Sequence, residues 1–346
     1  MRTSPAHPYE RLTPQRVLDA LQSVGLRGDG RLLQLNSYEN RVFQVMLEDG
    51  SAVVAKFYRP ARWTDAQILE EHRFALQLAQ HEIPVIAPLV LQPDNEAPIG
   101  TLRCIGEPLT LAQWGDDDAV FRLAVYARRS GHGPELDDPQ VLQWLGRFVG
   151  RLHAVGATEP FQARRRIDAQ TYGYQALQRL LDGDTLPPQA APFEGVAREA
   201  FALVDRAYAA AGELALLRLH GDFHPGNILW RDEGPHIVDL DDCCSGPALQ
   251  DLWMLLSGTQ AAMRAQLVHV LEGYDAFMRF DVRELALIEP LRTLRMLHHS
   301  AWLAERWSDP AFPAAFPWFG SAAYWSQQTQ ALREQIEAMQ QEPIAL

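Results

Sequence analysis

The chain has 346 residues, 47% of them hydrophobic and 22% charged, with a formal net charge of −13 and only three cysteines. That length exceeds the usual single core and predicts two lobes. The acidic balance argues against general binding to nucleic acid or an anionic membrane, and three cysteines without a C-x-x-C fit a reduced, cytoplasmic setting rather than a disulfide scaffold. The start, MRTSPAHPYE, lacks the apolar core of a secretory signal, and no apolar run reaches membrane-spanning length.

In chain order, Val17, Leu18, Leu21 and Val24 recur at helical spacing and predict a short amphipathic helix over 14–26, ended at Gly25. Strands are predicted at 32–35, 41–45 and 52–58. The first two flank a polar turn at 36–40, and the last two are joined by an Asp-Gly turn at 48–50. The polar turn can offer backbone N–H groups and the Ser37 hydroxyl to a phosphate; the plainer reading is a solvated hairpin turn.

The third strand carries the one lysine of the chain. Of 31 basic residues, Lys56 alone is not an arginine. A coding bias explains the arginines but not the exception. An ammonium is a compact point charge on a flexible stem, which a planar guanidinium does not replace everywhere. Lys56 therefore reads as a position that needs an ammonium, beside the polar turn.

A helix is predicted over 65–80, with Ile68, Leu69, Phe74, Leu76 and Leu78 as its apolar positions. It carries Glu70 and Glu71. A buried lysine needs a carboxylate partner to stay charged, and Glu71 is the preferred one, with Glu70 as the alternative. Strands are predicted again over 83–91 and 121–126. The first lobe thus reads as a mostly antiparallel sheet with one or two helices. The polar, glycine-containing stretch 127–138 reads as the connection, dividing the chain into 1–127 and 128–346.

The second lobe reads as helical. Val141, Leu142, Leu145, Phe148, Val149 and Leu152 form an apolar stripe in which Gly146 and Gly150 permit close packing. His153 reads as a packed or capping histidine. Further helices are predicted over 195–218, 248–257, 261–279, 283–306 and 321–340, with 309–319 as an irregular aromatic loop. The run 164–166, three arginines, reads first as a solvated face and second as a substrate contact.

One hairpin interrupts the helices. The stretch HGDFHPGNILWRDEGPHIVDLDD over 220–242 has a polar cluster at each end, two apolar runs, and a turn between them. His220, Asp222, His224 and Asn227 would face Asp239, Asp241 and Asp242. An amide oxygen among carboxylates makes a hard-oxygen site of the kind that holds Mg²⁺. Phosphoryl transfer needs such a metal, a carboxylate at the attacking hydroxyl and a cation for phosphate charge. Asn227 and Asp239 fit the metal, Asp222 the hydroxyl, and Lys56 with Glu71 the α and β phosphates. A zinc hydrolase built on His220, Asp222 and His224 competes, but it lacks further ligands and leaves Lys56 idle.

HGDFHPGNILW followed by VDLDD resembles the phosphotransferase motif of aminoglycoside phosphotransferases and choline kinases, VVAKFYRP their lysine strand, and ILEEHRFALQL their glutamate helix. LNSYENRVFQV, LLRLHGDFHPGNILWRD, GPALQDLWMLL and WLAERWSDPAFPAAFPWF extend a closer resemblance, over almost the whole chain, to bacterial stress-response protein kinases. The resemblance implies an α+β, bilobal protein-kinase-like fold with the nucleotide between the lobes. It implies ATP- and Mg²⁺-dependent phosphorylation of serine or threonine on proteins by a cytoplasmic monomer, and a protective role under stress, including against toxin-driven cell death. By position, Asp222 would be the proton acceptor, Asn227 and Asp239 the Mg²⁺ ligands, Asp239 also an active-site residue, and Ser37 an ATP contact. The phosphate loop, SYENR, departs from a glycine-rich pattern. A small-molecule kinase with a choline- or aminoglycoside-type acceptor, and a nucleotide-binding module without transfer, are the other readings; the full set of Lys56, Asp222, Asn227 and Asp239 disfavours the module.

Overall fold

The computed structural model describes residues 8–94 and 100–346; residues 1–7, part of the start read for a signal, lie outside the described residues. The fold is mixed α+β. It divides into two compact units, one made of the described residues up to Gly133 together with Ile228–Asp241, the other of Pro134–Asn227 and Asp242–Leu346. The hairpin that the sequence reading placed in the second lobe is therefore grouped with the first unit. The chain passes from one unit to the other at three peptide bonds, after Gly133, after Asn227 and after Asp241.

The first unit opens with α1 (Pro14–Ser23), whose N-cap Thr13 accepts from the Arg16 N–H and whose first residue is proline. It buries Val17 and Leu21 and ends before Gly25, which adopts φ +83°. The strands β1 (Gly28–Gln34), β2 (Arg41–Leu47) and β3 (Ala52–Phe57) follow, then α2 (Asp65–Gln80). Thr64 and Gln67 cap α2 reciprocally. Next come β4 (Thr101–Ile105), β5 (Leu111–Gly115) and β6 (Val120–Ala127). The six strands form one antiparallel sheet in the order β1-β2-β3-β6-β5-β4. β3 is thus central, and Lys56 on it faces Val42 on one side and Ala124 on the other. Residues 83–91 do not form the predicted strand: with Pro84 and Pro88 breaking the run, only isolated bridges at Val85 and Pro88 remain.

The second unit begins with α3 (Pro139–Gly156), α4 (Gln175–Asp182), α5 (Ala191–Ala211) and β7 (Leu217–Leu219). The hairpin β8 (Ile228–Arg231) and β9 (Gly234–Ile237) returns to the first unit, where Ile237 bridges Val85 and Trp230 bridges His132. β10 (Cys244–Gly246) then pairs with β7, and α6 (Gln260–Tyr274), α7 (Ile288–Glu305), α8 (Ala311–Ala315) and α9 (Ala322–Met339) complete the unit. Gly146 and Gly150 of α3 meet α6 so closely that an added Cβ would lie 1.9 Å from the Val270 carbonyl and 2.7 Å from that of Tyr274. A second core joins Phe193 and Phe201 of α5 to Phe312 and Trp325.

Two predicted helices and one predicted loop come out differently. The helix over 195–218 stops at Ala211 because Gly212, at φ +75°, caps it, and 217–219 become a strand. The stretch 248–257 forms only short 3-10 turns at Ala248–Asp251 and Trp253–Leu255. The loop over 309–319 contains the short α8.

Candidate active site

In the first unit, Lys56 is almost fully buried, and its ammonium lies 2.9 Å from Asp241 Oδ1 and 3.2 Å from Asp239 Oδ1. Burial alone would lower the lysine pKa. The charges of Asp241, then Asp239 and Glu71, outweigh it and hold the ammonium well above its ordinary range. Glu71 is buried on α2, whereas Glu70 is half-exposed. Asp239 differs from Asp241 in being half-exposed and in adopting φ +62°, the left-handed region that aspartate tolerates better than most residues. Lys56 occupies one of its oxygens, which leaves the other open.

Asp241 is the residue that sequence reasoning left without a role. Beyond Lys56 it receives the Arg62 guanidinium on Oδ2, and the Asn40 amide donates to the same oxygen at 3.2 Å. Asn40 Oδ1 in turn accepts the Arg59 N–H at 3.0 Å, and Arg59 donates to the carbonyls of Glu39 at 2.9 Å and Tyr38 at 3.1 Å. The SYENR turn is therefore held by two arginines that follow the lysine strand, not by glycine conformations. Ser37 sits half-exposed at its start. Sequence distance hid this link: Asn40 and Asp241 are 201 positions apart.

In the second unit, the segment His220–Asn227 is built around a buried carboxylate. Asp251 accepts the backbone N–H of His220 on Oδ2 and that of Gly221 on Oδ1, both at 2.8 Å. His153 Nε2 lies 3.1 Å from Oδ2, and Tyr274 meets the other ring nitrogen at 3.0 Å. His153 is thus a packed histidine that holds Asp251. Gly221 adopts φ +85°, and a Cβ there would stand 2.3 Å from the Asp242 carbonyl. Only glycine fits, and the turn it makes presents Asp222.

The Asp222 carboxylate has a partner on each oxygen: Arg295 of α7 on Oδ1 and His224 Nε2, at 3.4 Å, on Oδ2. His224 Nδ1 accepts the Gly226 N–H at 3.0 Å, so Nε2 is the nitrogen that donates. Burial would raise the Asp222 pKa. The His224 hydrogen bond and the Arg295 charge overcome it and hold the carboxyl well below the usual carboxylate range. Asn227 donates its amide N–H to the Asp222 carbonyl at 3.0 Å, which turns Oδ1 away as the acceptor end of that side chain. His220 is fully buried and its Nδ1 accepts the Asp222 N–H at 3.3 Å, so it supports the turn rather than facing a metal. Arg295 was not singled out in the sequence: one arginine among thirty on a helix carries no local signal.

No cluster of three or more His, Cys, Asp or Glu side chains suited to a metal occurs among the described residues. His220, Asp222 and His224 do not form such a cluster, since His220 is buried and turned to the Asp222 N–H. In the first unit Asp239 keeps one carboxylate oxygen open, and in the second Asn227, its amide N–H engaged, keeps its amide oxygen as an acceptor; each is a hard oxygen donor.

Residues 31–288 match the model of the phosphotransferase enzyme family. The chain belongs to that family. It is 42% identical over 343 residues to stress response kinase A of Escherichia coli K12, covering 99% of this chain and 98% of that protein. To the serine/threonine protein kinase RdoA of Salmonella typhimurium LT2 it is 41% identical over 342 residues, with the same coverage. Among solved structures it resembles the amicoumacin kinase hAmiN in complex with AMP-PNP, Ca²⁺ and Ami, with a TM-score of 0.68, 20% identity, and coverage of 96% and 94% of the two chains. A microcompartment-associated aminopropanol kinase gives a TM-score of 0.67 at 17% identity, covering 94% and 98%. These likenesses show the phosphotransferase fold, and the chain is a kinase of that family. No helix among the described residues is long and apolar enough to cross a membrane.

Proposed function

We propose that the protein is an ATP- and Mg²⁺-dependent serine/threonine protein kinase that acts in a stress response, as a cytoplasmic monomer. The observation that carries this reading is the likeness, over nearly the full length, to relatives named stress response kinase and serine/threonine protein kinase. The residue chemistry supports it. Asp222 orients the acceptor hydroxyl and takes its proton as the new bond forms. Its depressed pKa keeps it ionised across the physiological range, which suits orientation of the hydroxyl throughout. Lys56 neutralises the α and β phosphates of ATP, with Asp241 and Glu71 keeping it charged inside the fold. Ser37 contacts the nucleotide from the SYENR turn.

Asn227 and Asp239 would hold the metal, with Asp239 counted among the catalytic residues. When bound, Mg²⁺ supplies charge neutralisation at the phosphate oxygens. The Asp239 carboxylate supports this reading, since it touches Lys56 through one oxygen only.

Incubation with labelled ATP, Mg²⁺ and a generic protein substrate, beside choline, an amino alcohol and an aminoglycoside, tests the reading. Label on serine or threonine of the protein is the expected result. Label on the small molecules alone would replace the reading with a small-molecule kinase.

A further inference from the structure

Asp222 has an arginine on one oxygen and a histidine on the other, so an acceptor hydroxyl that approaches the carboxylate competes with one of them. Arg295 is the more exposed partner, at 42% of its side chain. Among the described residues Asp222 is its one hydrogen-bonding partner, reached through a single Nη1. A guanidinium carries five N–H donors in a planar fork that matches a carboxylate or phosphate in pairs. Most of the fork is therefore left for a second anion, next to the carboxylate that meets the acceptor.

A ridge of rings leads away from this arginine. His299 lies one turn further along α7 and stacks on Trp302 with ring centres 5.6 Å apart. Trp302 meets Phe316 at 6.0 Å, and Phe316 meets Trp318 at 5.8 Å. His299 and Trp318 are exposed, and Trp302 and Phe316 are half-buried. The ridge reaches the surface at Trp318, which is 46% exposed and also meets the Tyr324 ring at 5.2 Å. That form suits an extended chain better than an enclosed small molecule. The charge of the whole chain, −13, repels an acidic ligand at long range, so a local cation beside the reactive group acts as a selector rather than as part of a general field.

We propose that Arg295 is a specificity-determining residue which receives a carboxylate flanking the target serine or threonine of a polypeptide, with that polypeptide lying along the ridge from His299 to Trp318. One ion pair replaces another: as Arg295 turns to the substrate carboxylate, Asp222 Oδ1 is released to the hydroxyl. An acceptor without the anion leaves the Arg295–Asp222 pair closed. The inference rests on the protein-kinase reading above.

The test uses the full chain, ATP, Mg²⁺ and three matched sets of serine and threonine peptides, flanked by Asp/Glu, by Ala or by Lys/Arg. The wild-type enzyme should favour the acidic set by roughly 10- to 100-fold in kcat/KM, the scale of one charge-assisted contact. Arg295→Ala should raise the peptide KM for that set by about tenfold while the KM for ATP stays put, and Arg295→Glu should turn the preference toward the Lys/Arg set. The reversal also shows that the variant is folded. Trp318→Ala should raise KM for all long peptides alike. Equal use of the three sets by the wild-type enzyme, or an acidic preference that survives in Arg295→Glu, overturns the proposal and leaves the kinase reading standing. Label on no peptide of any set overturns both.

Discussion

Asp251 offers the sharpest perturbation, because it stands outside the residues assigned to nucleotide and acceptor yet holds the turn that presents Asp222. It is fully buried and receives the N–H groups of His220 and Gly221 and the ring of His153. Asp251→Ala leaves those donors without an acceptor in a site closed to water. Breaking a buried, hydrogen-bonded carboxylate of this kind costs about 3–5 kcal/mol. For a unit of this size that lowers the melting temperature by roughly 6–20 °C. Asp251→Asn keeps the shape and one acceptor oxygen but turns an NH₂ toward a donor, at a cost of about 1–3 kcal/mol. Differential scanning fluorimetry and steady-state kinetics read the two effects separately. Asp251→Asn, assayed well below its melting point, should lose kcat while its KM for ATP is little changed, since only the Asp222 turn is disturbed. A melting temperature for Asp251→Ala within 2 °C of wild type, by the same scale, together with undiminished kcat, would refute the reasoning.

Two further outcomes follow from buried charges. Lys56→Arg keeps the charge but forces a larger guanidinium against Asp239 and Asp241 on a central strand, so it should cost about 1–3 kcal/mol in stability and raise the KM for ATP; wild-type values for both would return the lone lysine to coincidence. Glu284 is buried, and that burial pushes its pKa up to about 7, against the N–H bonds from Leu249 and Ala248 that lower it. The folded state thus holds the proton more tightly than the unfolded chain, whose glutamate titrates near its ordinary 4.5. The stability it contributes is full below that ordinary value and is lost as pH rises through about 7, by roughly 3 kcal/mol. Chemical unfolding of Glu284→Gln between pH 5 and pH 8 should show a flatter profile than wild type, and parallel profiles would remove Glu284 from this role.

The elements with strong local signals were readable from the chain. α2 announced itself through its apolar positions, and its bounds match the predicted 65–80. The hairpin at 48–50 followed from Asp-Gly, and the packing of Gly146 and Gly150 followed from small residues inside an apolar stripe. The Gly212 that stops α5 was also present in the sequence, but the predicted helix ran past it to 218. The stretch 248–257 carries helical periodicity, yet its backbone and side chains are claimed elsewhere: Leu249 donates its N–H to Glu284, and Asp251 serves His220 and Gly221. Tertiary hydrogen bonds of that range leave no local trace.

The candidate site divides the same way. Lys56 stood out by composition, and Asp222, Asn227 and Asp239 by their spacing in one motif. Asp241 and Arg295 did not. Asp241 lies in the same acidic run as Asp239, and nothing in that run says which carboxylate is buried against Lys56 and Arg62. Arg295 reaches Asp222 across 73 positions. Burial and long-range pairing decide both roles, and neither is encoded in a short window.

The central claim is that Asp222 serves the acceptor hydroxyl of a phosphoryl transfer. Its most direct measurement is γ-phosphoryl transfer from labelled ATP to a protein substrate by Asp222→Asn, alongside nucleotide binding by the same variant. The account predicts ATP binding like that of wild type and transfer slower by roughly 10²- to 10⁴-fold. Transfer at the wild-type rate would contradict it.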